Sequence, residues 1–388
     1  MGSSLEIMLE KGVPLEKQEF TWRELVQEPV SKLDHDAFTK VRIILMNGIA
    51  AESNRFLHTL ARRNGDLRLE SARVRRVTQH QQTMVNWLLP PDMSPLETTI
   101  QYEQVAIEVT ASVAQAEPDP YFAQLYRFGL LEDFDHLYRY SALMDRVEGK
   151  DANNIVQSYS DIMPGRPTID EHRAPEDELR RHYDRTRADP LSKMHALTIV
   201  AGETQTHDYY MNIGPQFADP VARQLYAEIA SIEEQHVTHY GSMFDPSETW
   251  LESWLMHEAN EVYNYYSCAE FEDDPRIKAI WERFCAYELG QLHFVMDLFR
   301  RIEKRDPLEL LPESLPKPIQ YKSHREYVRK VLEKEVDYRA VGDEIGELEE
   351  SEATLAYRAQ VNSEGSPSES VAEGWVWSPG GELLRKAS

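Results

Sequence analysis

The stretch DPYFAQLYRFGLLEDFDHLYRY, Asp119 to Tyr140, recurs one hundred positions later as DPVARQLYAEIASIEEQHVTHY, Asp219 to Tyr240. The two copies share Asp-Pro, Gln-Leu-Tyr, a carboxylate three residues before a histidine, and a tyrosine four residues after it. Asp-Pro opens a helix, with aspartate as N-cap and proline at the first helical position. A three-residue step puts both side chains on one helix face. Asp133 with His136, and Glu233 with His236, are therefore candidate metal-ligand half-sites. Thirty positions before each of these carboxylates stands another glutamate, Glu103 and Glu203, in the preceding predicted helix. That distance equals two helix half-lengths and a turn, so an antiparallel hairpin brings all three groups to one height. A duplicated helical hairpin explains the repetition.

Outward from the repeat, the pattern stays helical. Asp36 to Arg63 carries Val41, Ile44, Leu45, Ile49, Phe56 and Leu60 on one stripe, and Gly65 stops it. Residues 67–88 form a second segment, and Ser94-Pro95-Leu96-Glu97 is a capping box opening a helix to about Ala116. Asp119-Pro120 opens the next, to about Glu148. Residues 149–189 read as a long irregular connection rich in Asp, Pro, Gly and Arg. Residues 190–213, 219–244, 246–270 and 274–303 give four more helices. The expected organisation is an N-terminal segment 1–37, an enlarged helical domain 38–303, and a C-terminal extension 304–388. Within the domain, 95–148 and 190–245 form the metal-binding bundle, flanked by helices at 38–88 and 246–303. The extension contains one charged helix at 323–339 and then a solvated acidic arm, with GWVWSPGGELL (374–384) as a short hairpin.

Composition narrows the function classes. The 388-residue chain holds 67 acidic and 42 basic side chains, a formal charge of -25 that argues against a nucleic-acid surface. Cys268 and Cys285 are too few for a disulfide framework or thiolate metal cluster, which makes the cytoplasm the expected location. No apolar run is long enough for a bilayer, and the N-terminus lacks a targeting pattern, so no membrane partner is expected. With 41% hydrophobic residues and 19 tyrosines in periodic segments, the chain reads as packed amphipathic helices, all-α in class. Rossmann, P-loop, Gly-x-Ser-x-Gly and zincin motifs are absent from the sequence.

Two hairpins packed face to face supply four carboxylates and two imidazoles, a set suited to two first-row metal ions inside a four-helix bundle. Four carboxylates nearly neutralise two divalent ions and can bridge them, leaving open positions for dioxygen. In these residues the sequence resembles the ferritin-like di-iron carboxylate superfamily, which includes di-iron oxygenases, the ribonucleotide reductase small subunit, rubrerythrins and bacterioferritins. The resemblance covers about residues 95–245. It implies a ferritin-like four-helix bundle, here with additional flanking helices and an irregular C-terminal arm. It further implies Glu103 as first-helix ligand, Asp133 and His136 as the second-helix pair, Glu203 on the third helix, and Glu233 and His236 on the fourth. The family's long connection between second and third helices has its counterpart in the 67 positions between His136 and Glu203. Aspartate at 133 departs from the family's glutamate, and Glu132, one turn before His136, is an alternative ligand.

Other groups enter the same reckoning. His207, one turn after Glu203, is a candidate extra ligand, as in some oxygenases of the superfamily, and His239 stands three residues beyond His236. A third hairpin repeats the spacing, with Asp274-Pro275, Glu288 and Glu258, but holds Gln291 where histidine is expected, and so reads as a degenerate copy. A rival bundle would use Glu203, Glu233, His236, Glu258 and Glu288, at the loss of one histidine. Glu52 reads as a capping or surface residue. Most tyrosines near the motifs read as core.

The expected function is that of a non-haem dinuclear iron oxidase or oxygenase. Its cofactor is two iron ions, alternatively manganese or a mixed iron/manganese pair, with dioxygen as co-substrate and a small molecule as the oxidised substrate. An external electron donor is expected because the sequence has no flavin or iron-sulfur motif, and homodimerisation is expected on general grounds. The alternatives are an iron-handling or peroxide-detoxifying protein without organic substrate, and a non-catalytic helical interaction protein.

Overall fold

The computed structural model describes residues 8, 10–312, 316–341, 344–347 and 349–379. Eight long helices dominate: α1 (Ala37–Arg63), α2 (Arg68–Asn86), α3 (Pro95–Ala116), α4 (Pro120–Glu148), α5 (Pro190–Ile213), α6 (Pro220–Gly241), α7 (Trp250–Phe271) and α8 (Pro275–Glu303). Their starts follow the local chemistry. Asp119, Asp189, Asp219 and Asp274 each accept a backbone N–H as N-cap, with proline next, while Ser94/Glu97 and Thr249/Glu252 are reciprocal capping boxes. Gly149, at φ 62°, takes the left-handed conformation that ends α4. The expected start of α7 at Pro246 falls instead at Trp250, because Thr249 and not Pro246 has the side chain that caps. α6 stops at Gly241, short of the expected Phe244.

Consecutive helices joined by short turns pack as four hairpins, α1/α2, α3/α4, α5/α6 and α7/α8. α1 and α5 each contact α3 and α7 as well as one another, so they tie the hairpins into one helical body. One apolar core runs through α1, α2, α5, α7 and α8, and a second fills the space among α3, α4 and α6. No described helix is long and apolar enough to cross a membrane.

The C-terminal region corrects the expectation of an irregular arm. It contains α9 (Arg325–Glu335), a two-stranded antiparallel hairpin of β1 (Tyr338–Val341) with β2 (Glu344–Glu347), α10 (Glu352–Val361) and α11 (Pro367–Ala372). These pieces dock on α4 and α6. Arg127 pairs with Glu335 at 2.7 Å, the Ser368 backbone N–H donates to Glu228, and Trp375 packs on Tyr138 while its Nε1 donates to Asp145 at 2.9 Å. The two-stranded hairpin therefore lies at 338–347. Residues 374–379 carry no strand, and the rest of the segment expected to form one lies outside the described residues.

The connection between α4 and α5 also has more order than its composition suggested. It contains single helical turns at Asn153–Val156 and Pro175–Glu178 and is bound tightly where it crosses α4. Asp135 accepts from the backbone N–H groups of Gly165 and Thr168 and from the Thr168 hydroxyl, at 3.0, 2.9 and 2.6 Å. A Cβ at Gly165 would lie 2.3 Å from the Leu131 carbonyl oxygen, so only glycine permits this approach.

Candidate metal centre

The α3/α4 and α5/α6 hairpins face one another and bring all six repeat-derived residues together at one level. Two groups have ligand atoms within 4.8 Å of one another: Glu103, Asp133, His136 and Glu233; and Asp133, Glu203, Glu233 and His236. Asp133 and Glu233 belong to both. Every member is buried. Within the cluster, His136 Nδ1 lies 3.2 Å from Glu233 Oε1, and His236 Nδ1 lies 3.4 Å from Asp133 Oδ1 and 3.5 Å from Glu203 Oε2. Despite this proximity eight polar atoms lack a hydrogen bond of good geometry: Glu103 Oε2, both oxygens of Asp133, His136 Nδ1, Glu203 Oε2, both oxygens of Glu233, and His236 Nδ1. Orphaned buried polar atoms are rare in proteins, and here they converge on one space. A divalent cation pair fits this donor set.

The electrostatics describe the same deficit of positive charge. Burial, partly opposed by His136, pushes Glu103 up to about 8, and burial with the neighbouring Glu233 raises Glu203 to about 7. Burial and the Glu203 carboxylate drive Asp133 well up. Against the desolvation that would raise it, the two imidazoles hold Glu233 down to about 2. Burial alone would lower both histidines, but the surrounding carboxylates hold them well above the ordinary imidazole range. Burial therefore favours neutralisation of the cluster, by protons or by cations.

The outer nitrogens of the imidazoles are fixed as well. His236 Nε2 sits 2.8 Å from Glu132, and His136 Nε2 sits 2.8 Å from Glu171. When the rings are neutral, a carboxylate on the far nitrogen favours the tautomer whose Nδ1 lone pair faces inward. Glu132 thus lies behind His236 and outside both four-residue groups. Arg173 spans Glu132 and Glu178 with its guanidinium, one contact to Glu132 measuring 2.8 Å. Gln235 on α6 clamps this crossing, accepting from the Arg173 N–H at 2.9 Å and donating to the Glu171 carbonyl at 3.0 Å.

Glu171 was not legible as a functional residue. In the repeat, the residue before Asp133 is Glu132, whereas the residue before Glu233 is Ile232. The missing carboxylate behind His136 comes from the connection, in a segment without periodicity. The one signal was that asymmetry within an otherwise matched repeat.

The remaining candidates lie elsewhere. His207 is partly exposed, near Asp208, and belongs to neither group. His239 is buried beside Phe128, with Glu178 3.9 Å from its Nδ1. Glu258 and Glu288 sit together in the other hairpin pair, apart from Glu203 and Glu233. Glu52 lies mid-helix on α1, partly exposed and paired with Arg55 at 3.1 Å, away from both groups. Among the tyrosines, Tyr210 donates a short hydrogen bond to Glu103 Oε1, leaving Oε2 to face the cluster. Tyr240 is buried with its ring 6.3 Å from that of His236. A small cavity of about 10 Å³ abuts Glu203, lined by Val105, Val109, Thr110, Gly202 and Thr206 among others. It has room for about one water-sized molecule.

No protein-family model matches the chain, and neither a curated protein nor a solved structure matches it significantly.

Proposed function

We propose that the chain is a dinuclear non-haem metal oxidase or oxygenase of ferritin-like type, with iron as the first choice of metal and manganese or a mixed pair as alternatives. The observation that carries this reading is the convergence of eight unpartnered donor atoms from four carboxylates and two imidazoles in one buried space. Asp133 and Glu233, common to both groups, would be shared between the two ions, while Glu103 with His136 and Glu203 with His236 would complete the two coordination sets. A pair of reduced ions supplies the electrons for dioxygen reduction. The chain's own part is to hold both Nδ1 atoms inward through Glu171 and Glu132, to fix Glu103 through the Tyr210 hydroxyl, and to exclude bulk water. The cavity beside Glu203 matches a diatomic gas in size and apolar lining.

That size also favours a second reading, iron or peroxide handling without an organic substrate at the metal pair. Elemental analysis and oxygen uptake test the first step common to both. Anaerobic loading with iron(II) should give about two ions per chain and oxygen consumption on exposure to air, both lost in His136→Ala and His236→Ala. Product analysis with an external reductant and candidate small substrates then separates oxygenase from iron handling. A folded chain that refuses iron and manganese would overturn both readings and leave a helical interaction protein.

A further inference from the structure

The outer hairpins, α1/α2 and α7/α8, repeat the register of the metal-centre hairpins. Asp119 precedes Asp133 by fourteen positions, Asp219 precedes Glu233 by fourteen, Asp274 precedes Glu288 by fourteen, and Asn64, at the turn into α2, precedes Thr78 by fourteen. Three positions after these residues stand His136, His236, Gln291 and Gln81. Thr78 and Gln81 on α2 thus occupy the places of Asp133 and His136, and Glu288 and Gln291 on α8 those of Glu233 and His236. Glu258 stands thirty positions before Glu288, as Glu203 does before Glu233.

Three of the contacts correspond, while the 3.5 Å approach of His236 to Glu203 has no counterpart and Gln291 donates to Gln81 at 3.2 Å. His136 Nδ1 lies 3.2 Å from Glu233 Oε1; Gln81 Nε2 donates to Glu288 Oε1 at 2.5 Å. His236 Nδ1 lies 3.4 Å from Asp133; the Thr78 hydroxyl donates to Gln291 Oε1, also at 3.4 Å. His236 lies 3.5 Å from Glu233 on its own helix; Gln291 Nε2 donates to Glu288 at 3.0 Å. Glu203 neighbours Glu233, and Glu258 neighbours Glu288. All of these residues are buried. On α1 the position thirty before Thr78 is Gly48, which carries no ligand, and Ser53 lies close to Glu261 without a well-formed hydrogen bond.

We propose that the α1/α2 and α7/α8 hairpins hold a converted copy of the metal centre, in which glutamine replaces each histidine and hydrogen bonding replaces cation binding. An amide donates where an imidazole would accept a metal, so Gln81 and Gln291 close on Glu288 instead of opening toward an ion. The two carboxylates that remain, Glu258 and Glu288, and Glu261, which stands where the inner hairpin has Thr206, have no lysine, arginine or histidine among their hydrogen-bond or ion-pair partners in the described residues. Burial raises all three, Glu261 to about 7 and the others well above the usual carboxylate range, which favours their protonated forms. The bundle keeps the sequence register and two of the carboxylates of the metal-centre hairpins, and lacks the nitrogen ligands.

Restoration tests this directly. The Thr78→Asp/Gln81→His/Gln291→His variant, loaded anaerobically with cobalt(II) and followed by elemental analysis and visible absorption, should bind at least one ion per chain more than the wild type. Gln291→His alone, a change of similar volume that places an imidazole beside Glu258 and Glu288, carries the same test if the triple variant does not fold. In the opposite direction, His136→Ala/His236→Ala should retain no tightly bound cobalt. A folded restored variant with no added metal, or a double alanine variant that keeps an ion dependent on Glu258, overturns the proposal. The outcome is separable from the proposed function, since a wild type without metal would sink that function while added metal in the restored variant would still establish the converted copy.

Discussion

Two four-helix arrangements in this chain bury acidic side chains at the same helical level, and they neutralise them by different means. Between α3/α4 and α5/α6, four carboxylates and two imidazoles point at one another with eight donor atoms unpartnered. Between α1/α2 and α7/α8, the amides of Gln81 and Gln291 are spent on Glu288, and Trp254 Nε1 donates to Glu258 at 2.7 Å. Unpaired buried charge costs several kcal/mol per group. The first arrangement offers its unpartnered atoms, two imidazole nitrogens among them, to a cation; the second has amide and indole donors on Glu288 and Glu258 but leaves one oxygen of each, and both oxygens of Glu261, without a partner. The two hairpin pairs share a register and differ in the side chains that register brings together.

The largest difference between the two should come from removing nitrogen donors. His136→Ala or His236→Ala should weaken metal binding by more than the ~10–100-fold typical of outer-shell losses, because a direct donor and its fixed lone pair are both removed. Gln81→Leu and Gln291→Leu should leave metal content unchanged. Elemental analysis after gel filtration reads both. Equal loss of metal in the two sets would break the distinction between the bundles.

Next in size is the support behind the imidazoles. Glu171→Gln keeps a hydrogen-bonding side chain but removes the carboxylate that fixes the His136 tautomer, and should lower metal affinity ~10–100-fold without unfolding the chain. Competition with a chelator of known affinity measures it. An unchanged affinity would show that the α4–α5 connection merely covers the site.

These two predictions differ in how far the sequence could have led to them. His136 and His236 were legible because helical periodicity and duplication both act on local spacing, which a sequence records. The same logic located the eight helices, since Asp-Pro caps and capping boxes are local signals. Glu171 was not legible, because its place depends on Asp135 holding Gly165 and Thr168 and on Gln235 holding Arg173, contacts that join segments far apart in the chain. The docking of residues 316–379 escaped for the same reason: Ser368 on Glu228 and Trp375 on Asp145 are tertiary hydrogen bonds made by a segment whose composition reads as solvated. Gln81 gave no warning either, as an α2 glutamine has meaning only once Glu288 lies across from it.

The protonated core of the outer bundle gives a smaller effect with a definite sign. Burial, opposed by the nearby Ser53 hydroxyl, raises Glu261 to about 7 from the ordinary glutamate value of about 4.5. Between those values the native state binds more protons than the unfolded chain, so this contribution to stability is full below the unfolded value and declines as pH rises toward 7. The difference amounts to about 3 kcal/mol. Glu261→Gln should therefore melt several degrees above the wild type at pH 8, with the gap narrowing toward pH 5. Melting curves across that range check it, and a gap independent of pH would show that Glu261 is not protonated in the native core.

The smallest expected effect concerns the caps that set the common height. Asp119, Asp219 and Asp274 each accept backbone N–H groups at the start of their helices. Replacing any of them with alanine should cost ~1 kcal/mol through the lost cap. Asp274 should be the most sensitive, because its carboxylate accepts two backbone N–H groups, from Arg276 and Ile277, where Asp119 and Asp219 accept one each within their helices. Caps act on the first turn, whereas the ligand positions lie fourteen residues further along, held by packing against the partner helix. All three variants should thus lose stability in chemical denaturation while the metal content of the folded chain stays at the wild-type level. Loss of metal in Asp274→Ala, whose helix carries no ligand of the proposed centre, would instead mean that the outer bundle positions the inner one, and that the two cores are mechanically a single unit.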